Sequence, residues 1–352
     1  MSAPETPDPE NPLEWVIKNH YAKKSQGTEN VARLALLGTT GPTGDGSKVA
    51  LKPWLERKDV PPEEFTVDLA HEYITELAEC YSPGTQKNRT QYASSAYDIL
   101  LRRNVEGFDY NPIPKVLEDY PNILQDITQN DVTIYEEETI KEVIEEQHPV
   151  NMTVSMTMLK TGRRIGGVLN LDLCDVHLDH PAADWQVHQA IRDKPDHIHF
   201  GPGVSEGETF RGETRYDGMK TKSRVPIPMD EELKAFLIWY LPIRRSSEHE
   251  GAFFINPRGV QEGQRLKSPA YREWLTLIAK DQGLFHGKSD PDNIRPHYWR
   301  HWTTTKMRDR IEHGTVDFFR GDKKAVSDIY NHYTPEKARA WTENIPKFYR
   351  PD

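Results

Sequence analysis

A proline-rich segment divides this chain into two parts whose hydrophobic patterns differ. Prolines stand at positions 112, 114 and 121, and proline interrupts both helix interiors and sheet ladders. Before this segment apolar residues recur at helical spacing, whereas after it helical stretches alternate with short runs typical of strands. The 352 residues suffice for two domains of ordinary size. We therefore predict a helical domain over 1–110, a linker over 111–130 and a second domain over 131–352.

The N-terminal part is predicted to consist of helices. Thr66 is a favoured N-cap ahead of an apolar stripe, and a long helix is expected over 82–104. Four basic residues lie along or just beyond this long helix: Lys87, Arg89, Arg102 and Arg103.

The C-terminal part combines helices with short strands. Helical periodicity is found over 152–173, where a Thr-Gly turn separates two helices, and again over 231–241, 269–282, 298–313 and 324–333. Strand-like pieces occur over 185–191, 197–200 and 223–227. The predicted fold class is mainly α with a small antiparallel β-sheet, a helical domain followed by an α+β domain.

Composition excludes several classes of protein. No run approaches the ~20 apolar residues that a membrane-spanning helix needs, and two cysteines cannot build a disulfide framework or a four-cysteine zinc site. The first residues are acidic and proline-rich, unlike a signal or transit peptide, which favours a cytoplasmic location. A net charge of −10 argues weakly against nucleic-acid binding, although local patches rather than total charge bind DNA.

Four polar clusters in the second domain could carry chemistry. They are Thr161-Gly-Arg-Arg164, Lys220-Thr-Lys-Ser-Arg224, His297-Tyr-Trp-Arg-His301 and Tyr330-Asn-His-Tyr333. Each alone is more often a structural feature, but together they hold the groups that attack on a phosphodiester requires. Guanidinium groups bind phosphate oxygens bidentately, and lysine and histidine can move protons. A tyrosine hydroxyl can form a covalent intermediate.

The order and spacing of these clusters resemble the tyrosine recombinases, the family of phage and archaeal integrases and Xer-type resolvases. Residues 158–176 resemble the first arginine box of the family, with Arg164 as the catalytic arginine. Residues 220–228 resemble its hairpin lysine segment, in which Lys220 is the better match and Lys222 the alternative. The H-x-x-R-H box matches at His297 and Arg300.

The last box of the family matches near the C-terminus, where a Gly-Asp pair at 321–322 precedes a tyrosine. Tyr330 stands where the nucleophile should, and Tyr333 is the alternative. The resemblance implies a recombinase that cleaves and rejoins double-stranded DNA through a 3′-phosphotyrosyl link, without metal, nucleotide or other cofactor. It also implies a homotetramer on paired sites and a DNA-binding N-terminal domain.

The four basic residues of the long helix are candidate phosphate contacts in that domain, although a solvated helix face explains each of them equally well. The insertion over 196–216 and the acidic balance resemble integrases of halophilic archaea and their viruses in particular. Folding would then require high salt, and a cooperative melt at low salt would contradict this part of the resemblance.

Two positions depart from the pattern of the family. Gly167 stands where many members carry an acidic residue, which leaves the bracing of Arg164 open. Asp322 stands where many members carry His or Trp, and an ionised carboxylate cannot donate a hydrogen bond to phosphate. Either Asp322 braces an arginine, or its role has moved to a neighbour such as His332.

Other functions remain open from the residues alone. Five histidines between positions 177 and 199 fit no common zinc spacing, so no metal is predicted, and no glycine-rich phosphate loop occurs. A type IB topoisomerase-like nicking-closing enzyme would use the same chemistry. A catalytically degenerate DNA-binding regulator on the same scaffold would use none of it.

Overall fold

The chain folds into two compact units, residues 1–129 and 130–352. The computed structural model describes residues 11–39, 49–126, 132–201, 203–219, 224–244, 251–287, 290–321 and 332–349. In this part of the chain no helix is both long enough and apolar enough to cross a membrane. Each unit has its own apolar core.

The first unit is helical, as predicted. Its described α-helices are α1 (Pro12–Val16), α2 (Gln26–Leu36), α3 (Leu51–Arg57), α4 (Val67–Cys80), α5 (Pro83–Arg102) and α6 (Pro112–Asp119), and one turn of π-helix (Ile17–Tyr21) follows α1. The Thr66 hydroxyl accepts a hydrogen bond from the amide of Leu69 at 3.3 Å, which confirms the predicted N-cap. Tyr73, Ile74 and Leu77 of α4 are fully buried in the core.

The predicted linker over 111–130 is wrong across α6. Asn111 caps this helix through its side-chain oxygen, which accepts from the amide of Ile113 at 3.1 Å. Ile113 and Val116 are fully buried in the core of the first unit. The prolines begin the helix instead of breaking it, because Pro112 occupies its first position, where the missing N–H would have no partner. Residues 127–130 of the predicted linker lie outside the described residues.

The second unit is an α+β domain, so the predicted fold class is confirmed. Its described helices are α7 (Glu137–Glu145), α8 (Pro149–Thr161), α9 (Ile165–Leu169), α10 (Glu231–Tyr240), α11 (Ser268–Asp281), α12 (Pro296–Arg308), α13 (His313–Arg320) and α14 (Pro335–Asn344). The strands are β1 (Val176–His177), β2 (His197–Phe200), β3 (Thr209–Phe210), β4 (Glu213–Thr214) and β5 (Val225–Pro228).

The sheet is small and antiparallel. Strand order is β1-β2-β5, with Val176 opposite Ile198 and Phe200 opposite Val225, and β3 pairs separately with β4. The strand predicted over 185–191 is not formed, and a short 3-10 helix, Gln189–Ile191, occupies its end. The Trp185 indole instead donates to the carbonyl of Val176 at 2.9 Å. The amide of His188 also donates to the carbonyl of Cys174 at 2.7 Å, so isolated contacts hold this segment in place of a ladder.

The helix predicted over 298–313 is two helices. Helix α12 begins two residues earlier than expected, at Pro296, and ends at Arg308, and α13 starts at His313. Most of the helix predicted over 324–333 lies outside the described residues. Because the chain breaks between α12 and α13, the C-terminal end of α13 lies near the C-terminal end of α8, and Arg300 of α12 contacts both ends.

Candidate active site

The first arginine box forms a tight turn between two helices. Helix α8 ends at Gly162, whose φ of 63° is left-handed and therefore favours glycine. Arg164 is the N-cap of α9 and its side chain is exposed. The turn thus places Arg164 at the surface of the second unit.

The neighbouring Arg163 has the opposite environment. Its side chain is buried, and its guanidinium lies 4.8 Å from the centre of the Phe200 ring on β2. A cation over an aromatic face in the interior stabilises the packing of the turn between α8 and α9 on the sheet. Of the two adjacent arginines, Arg164 is therefore the exposed one and Arg163 the buried one.

Arg300 ties three helices together from the centre of the second unit. It lies on α12 with 1% of its surface exposed. Its Nη1 donates to the carbonyl of Gly162 at 2.7 Å and to that of Arg320 at 3.0 Å. Both carbonyls lie at helix C-termini, where the helix dipole favours a positive charge. The second arginine of the proposed pair is thus held beside the turn that carries Arg164.

His297 lies one turn before Arg300 on α12. Partial burial lowers its pKa to about 4, and the charges of His301, Arg164, Arg300 and Arg320 act in the same direction. The His301 ring lies 4.5 Å away, edge to face. The imidazole is therefore neutral at neutral pH and can accept a proton. Residues from two of the sequence boxes, together with Arg320 of α13, therefore act on this one imidazole.

The low pKa of His297 predicts a definite pH response. The folded chain binds fewer protons than the unfolded chain at this residue, so its contribution to stability should fall as the pH drops from about 6.5 through about 4. An NMR titration of the imidazole, assigned by loss of the signal in His297→Gln, should show a midpoint near 4. A midpoint at the ordinary histidine value would contradict this arrangement.

Four of the predicted site residues lie outside the described residues: Lys220, Lys222, Asp322 and Tyr330. The chain is described up to Met219 and again from Arg224, and up to Gly321 and again from His332. Gly321 is the left-handed C-cap of α13, with φ 69°. His332 is exposed, and its carbonyl accepts a hydrogen bond from Lys337 at 3.1 Å.

The alternative nucleophile Tyr333 is engaged elsewhere. Its hydroxyl lies 2.7 Å from Nε2 of His197 on β2, and its ring packs edge to face against that imidazole. Burial raises the pKa of the Tyr333 hydroxyl. This tyrosine therefore has a structural contact that attack on a phosphate would break.

The histidines between 177 and 199 do not converge on a metal. His188 and His199 stack with ring centres 4.2 Å apart, while His197 binds Tyr333 and His177 binds the carbonyl of Ile191. Within the described ranges, the group close enough to ligate an ion is Asp172, Cys174 and Asp175. Burial raises the pKa of Cys174 to about 11, so the thiol stays protonated.

Arginines neutralise the two carboxylates of that group. Arg211 donates to Asp172 at 2.6 Å and to Asp175 at 2.8 Å, and Arg215 donates to Asp172 at 2.9 Å. Arg265 also contacts Asp172. Glu213 of β4 completes this ion cluster by pairing with Arg265 at 2.9 Å. The cluster joins the β3–β4 hairpin to the chain after α9.

The predicted DNA-contacting residues of the first unit divide into two groups. Arg89 is used internally, since it donates to the carbonyl of Leu34 at 3.0 Å and lies 4.3 Å from the centre of the Tyr81 ring. Lys87 is exposed near the start of α5, and Arg102 and Arg103 are exposed at its end.

Two lysines that the sequence analysis missed, Lys23 and Lys24, lie near the C-terminal end of α5. Burial lowers the pKa of His20, and the nearby charges of Lys24, Arg102, Arg103 and Lys23 lower it further. Lys23, Lys24, Arg102 and Arg103 are all exposed and form what we call the basic patch. The pair of adjacent lysines at 23–24 was the feature of the sequence that could have indicated this patch, but nothing in its spacing relates it to α5.

The fold is that of the tyrosine recombinases. A DNA complex of the Tn1549 transposon integrase superposes with a TM-score of 0.58 at 19% identity over 89% of this chain and 98% of that one. A lambda integrase tetramer bound to a Holliday junction gives 0.60 at 13% identity over 90% and 77%. A lambda integrase dimer on a core site gives 0.57 at 13% identity over 90% and 96%. No protein-family model and no curated protein sequence matches the chain.

Proposed function

We propose that this protein is a tyrosine-type site-specific DNA recombinase. The observation that carries the proposal is the convergence of Arg164, His297 and Arg300 at one place in the second unit. They come from boxes far apart in the sequence, and the fold is one whose solved examples hold DNA. Two cations beside a neutral imidazole suit an anionic phosphate that gains charge during reaction.

In the proposed reaction the Tyr330 oxygen attacks the scissile phosphorus. A bond forms from that oxygen to phosphorus, and the bond from phosphorus to the 5′ oxygen breaks. His297 accepts the tyrosine proton, and Lys220 protonates the departing 5′ oxygen. Arg164 and Arg300 hold the non-bridging oxygens. The 3′-phosphotyrosyl link retains the energy of the phosphodiester, so rejoining needs neither metal nor nucleotide.

The proposed partner is double-stranded DNA, bound by four copies of the chain on two paired sites. The lambda integrase tetramer on a Holliday junction supports that arrangement by likeness of fold. The proposal extends to a mobile element of a halophilic archaeon, which the net charge of −10 supports.

A nicked suicide duplex tests the proposed function. The short 5′ fragment that cleavage releases diffuses away, so an active protein should accumulate as a covalent adduct visible on a denaturing gel. DNA binding without any adduct would contradict the proposal of an enzyme and would favour a non-catalytic DNA-binding regulator. Supercoil relaxation on DNA of any sequence, without strand exchange, would instead favour a topoisomerase-like enzyme.

The basic patch predicts the salt dependence of DNA binding. Log affinity should fall linearly with log salt, with a slope of about −0.9 for each phosphate neutralised. Changing Lys23 and Lys24 to Gln should reduce that slope by about 2 and weaken binding alike on all sequences. Titrations at several salt concentrations measure it.

Lys115→Gln is the matched control in the same unit. Lys115 is exposed like the patch lysines, but it pairs with Asp119 at 2.8 Å and with Glu118 at 3.4 Å. Its loss should leave the slope unchanged. An equal change in slope for Lys115→Gln and for the patch variant would show that the patch does not touch DNA.

A further inference from the structure

Helix α9 is joined to the segment that precedes residue 220 by one side chain. Asn170 is the C-cap of α9 and is buried. Its side-chain nitrogen donates to the carbonyl of Gly166 at 2.7 Å and to the carbonyl of Asp217 at 2.6 Å. Both N–H groups of the amide are thus used to bridge α9 and the segment. A buried amide with two partners of this kind fixes its neighbours, because losing either bond leaves a polar group unsatisfied.

Two further contacts hold the same segment. The Asp217 carboxylate accepts from the amide of Ser268 at 2.8 Å, at the first turn of α11. Met219 exchanges two backbone hydrogen bonds with Val204, at 2.7 and 3.1 Å, and its side chain is buried. Residues 217–219 are therefore held by α9, by the start of α11 and by Val204.

The backbone of the segment also approaches α9 too closely for any side chain at position 166. A Cβ placed on Gly166 would overlap the carbonyl oxygen of Gly218. A Cβ on the adjacent Gly167 would instead make ordinary contacts with the Phe200 ring at 3.7 Å and the Met219 sulfur at 3.8 Å. Close packing thus requires glycine at 166 but tolerates alanine at 167.

We infer that Asn170 and Gly166 are positioning residues for the leaving-group acid, because they fix the segment 217–219, to which Lys220 is directly joined in the chain. The inference rests on the proposed function. Arg164 is the N-cap of α9, and Lys220 comes directly after Met219 in the chain. One short helix therefore links the phosphate-binding arginine to the chain that carries the acid. Such a link matters because a misplacement of about 1 Å can cost a reaction about 10²-fold.

The test compares ordinary DNA with a suicide duplex that carries sulfur in place of the bridging 5′ oxygen. A thiolate leaves without protonation, so a displaced acid slows only the ordinary substrate. Gly166→Ala and Asn170→Ala should lower cleavage of ordinary DNA about 10- to 100-fold, while changing cleavage of the sulfur-substituted strand only a few-fold. Gly167→Ala, the matched control, should cleave both substrates at close to the rate of the unaltered protein.

Each outcome decides the inference. Equal loss of cleavage on both substrates, in a variant that still melts cooperatively, would show that the contact of α9 with the segment 217–219 has only a structural role. Full activity of Asn170→Ala on ordinary DNA would also overturn it. If Gly166→Ala does not fold, Asn170→Ala and the milder Asn170→Ser carry the same comparison. Absence of adduct with the unaltered protein would instead refute the proposed function itself, so the two failures are distinguishable.

Discussion

Replacing Tyr330 by phenylalanine should abolish the covalent adduct with a nicked duplex. The change removes only the hydroxyl, which is the proposed nucleophile, and it keeps the ring. DNA binding should therefore stay within a few-fold of the unaltered protein. A denaturing gel measures the adduct, and a binding titration at fixed salt measures affinity.

Tyr333→Phe is the matched control for this prediction. It removes the hydroxyl that lies 2.7 Å from His197, so it should lower stability by about 1 kcal/mol and leave the adduct intact. The opposite pair of results, an adduct with Tyr330→Phe and none with Tyr333→Phe, would show that the alignment of the last box is off by three residues and that Tyr333 is the nucleophile. The contact between Tyr333 and His197 would then have to open before the reaction.

Replacing Lys220 by alanine should slow cleavage of ordinary DNA by roughly 10²- to 10⁴-fold, the usual range for a positioned general acid. The loss should be far smaller on the sulfur-substituted strand, because a thiolate needs little protonation. The ratio of the two single-turnover cleavage rates is the measurement. Lys222→Ala is the control, and rescue by sulfur in that variant alone would assign the acid to Lys222.

Arg164→Ala separates the role of charge from that of the acid. Its guanidinium is proposed to stabilise the non-bridging oxygens, so cleavage should be damaged on both substrates. Equal losses for Lys220→Ala on the two substrates would class that lysine with the arginines as a phosphate clamp. Arg300 is less suited to this comparison, because it also holds the ends of α8 and α13 together, and its removal would disturb both.

The junction at Asn170 gives a physical reason why Gly167 can replace an acidic residue in this chain. Gly167 packs under Phe200 and Met219, in the same place where the segment ahead of Lys220 is held. A larger acidic side chain there would meet that apolar contact.

Much of the fold was predictable because it rests on local patterns. Apolar spacing identified α4, α5, α10 and α11 to within a few residues, and Thr66 behaves as the cap that its side chain predicts. Proline misled the analysis at α6, because its effect depends on its position in a helix: Pro112 is at the first position, where its missing N–H costs nothing.

The candidate site was predictable only as a set of residue types in order. In the sequence, only the resemblance to the arginine box of the family distinguished Arg164 from Arg163. In the structure the two residues differ because Arg163 is buried and contacts the Phe200 ring. The basic patch could not be predicted, since Lys23 and Lys24 come near Arg102 only when the helices of the first unit pack together.

The sequence by itself determined most of the long helices, the cap at Thr66 and the order of the four boxes, because hydrogen bonding and apolar spacing act over a few neighbouring residues. Only the tertiary structure decided which of the positively charged residues lie close together. Arg300 reaches the carbonyls of Gly162 and Arg320 across three helices, and Asn170 joins α9 to Asp217. Such contacts join residues far apart in the chain, and their geometry depends on how whole helices pack, which no local pattern records.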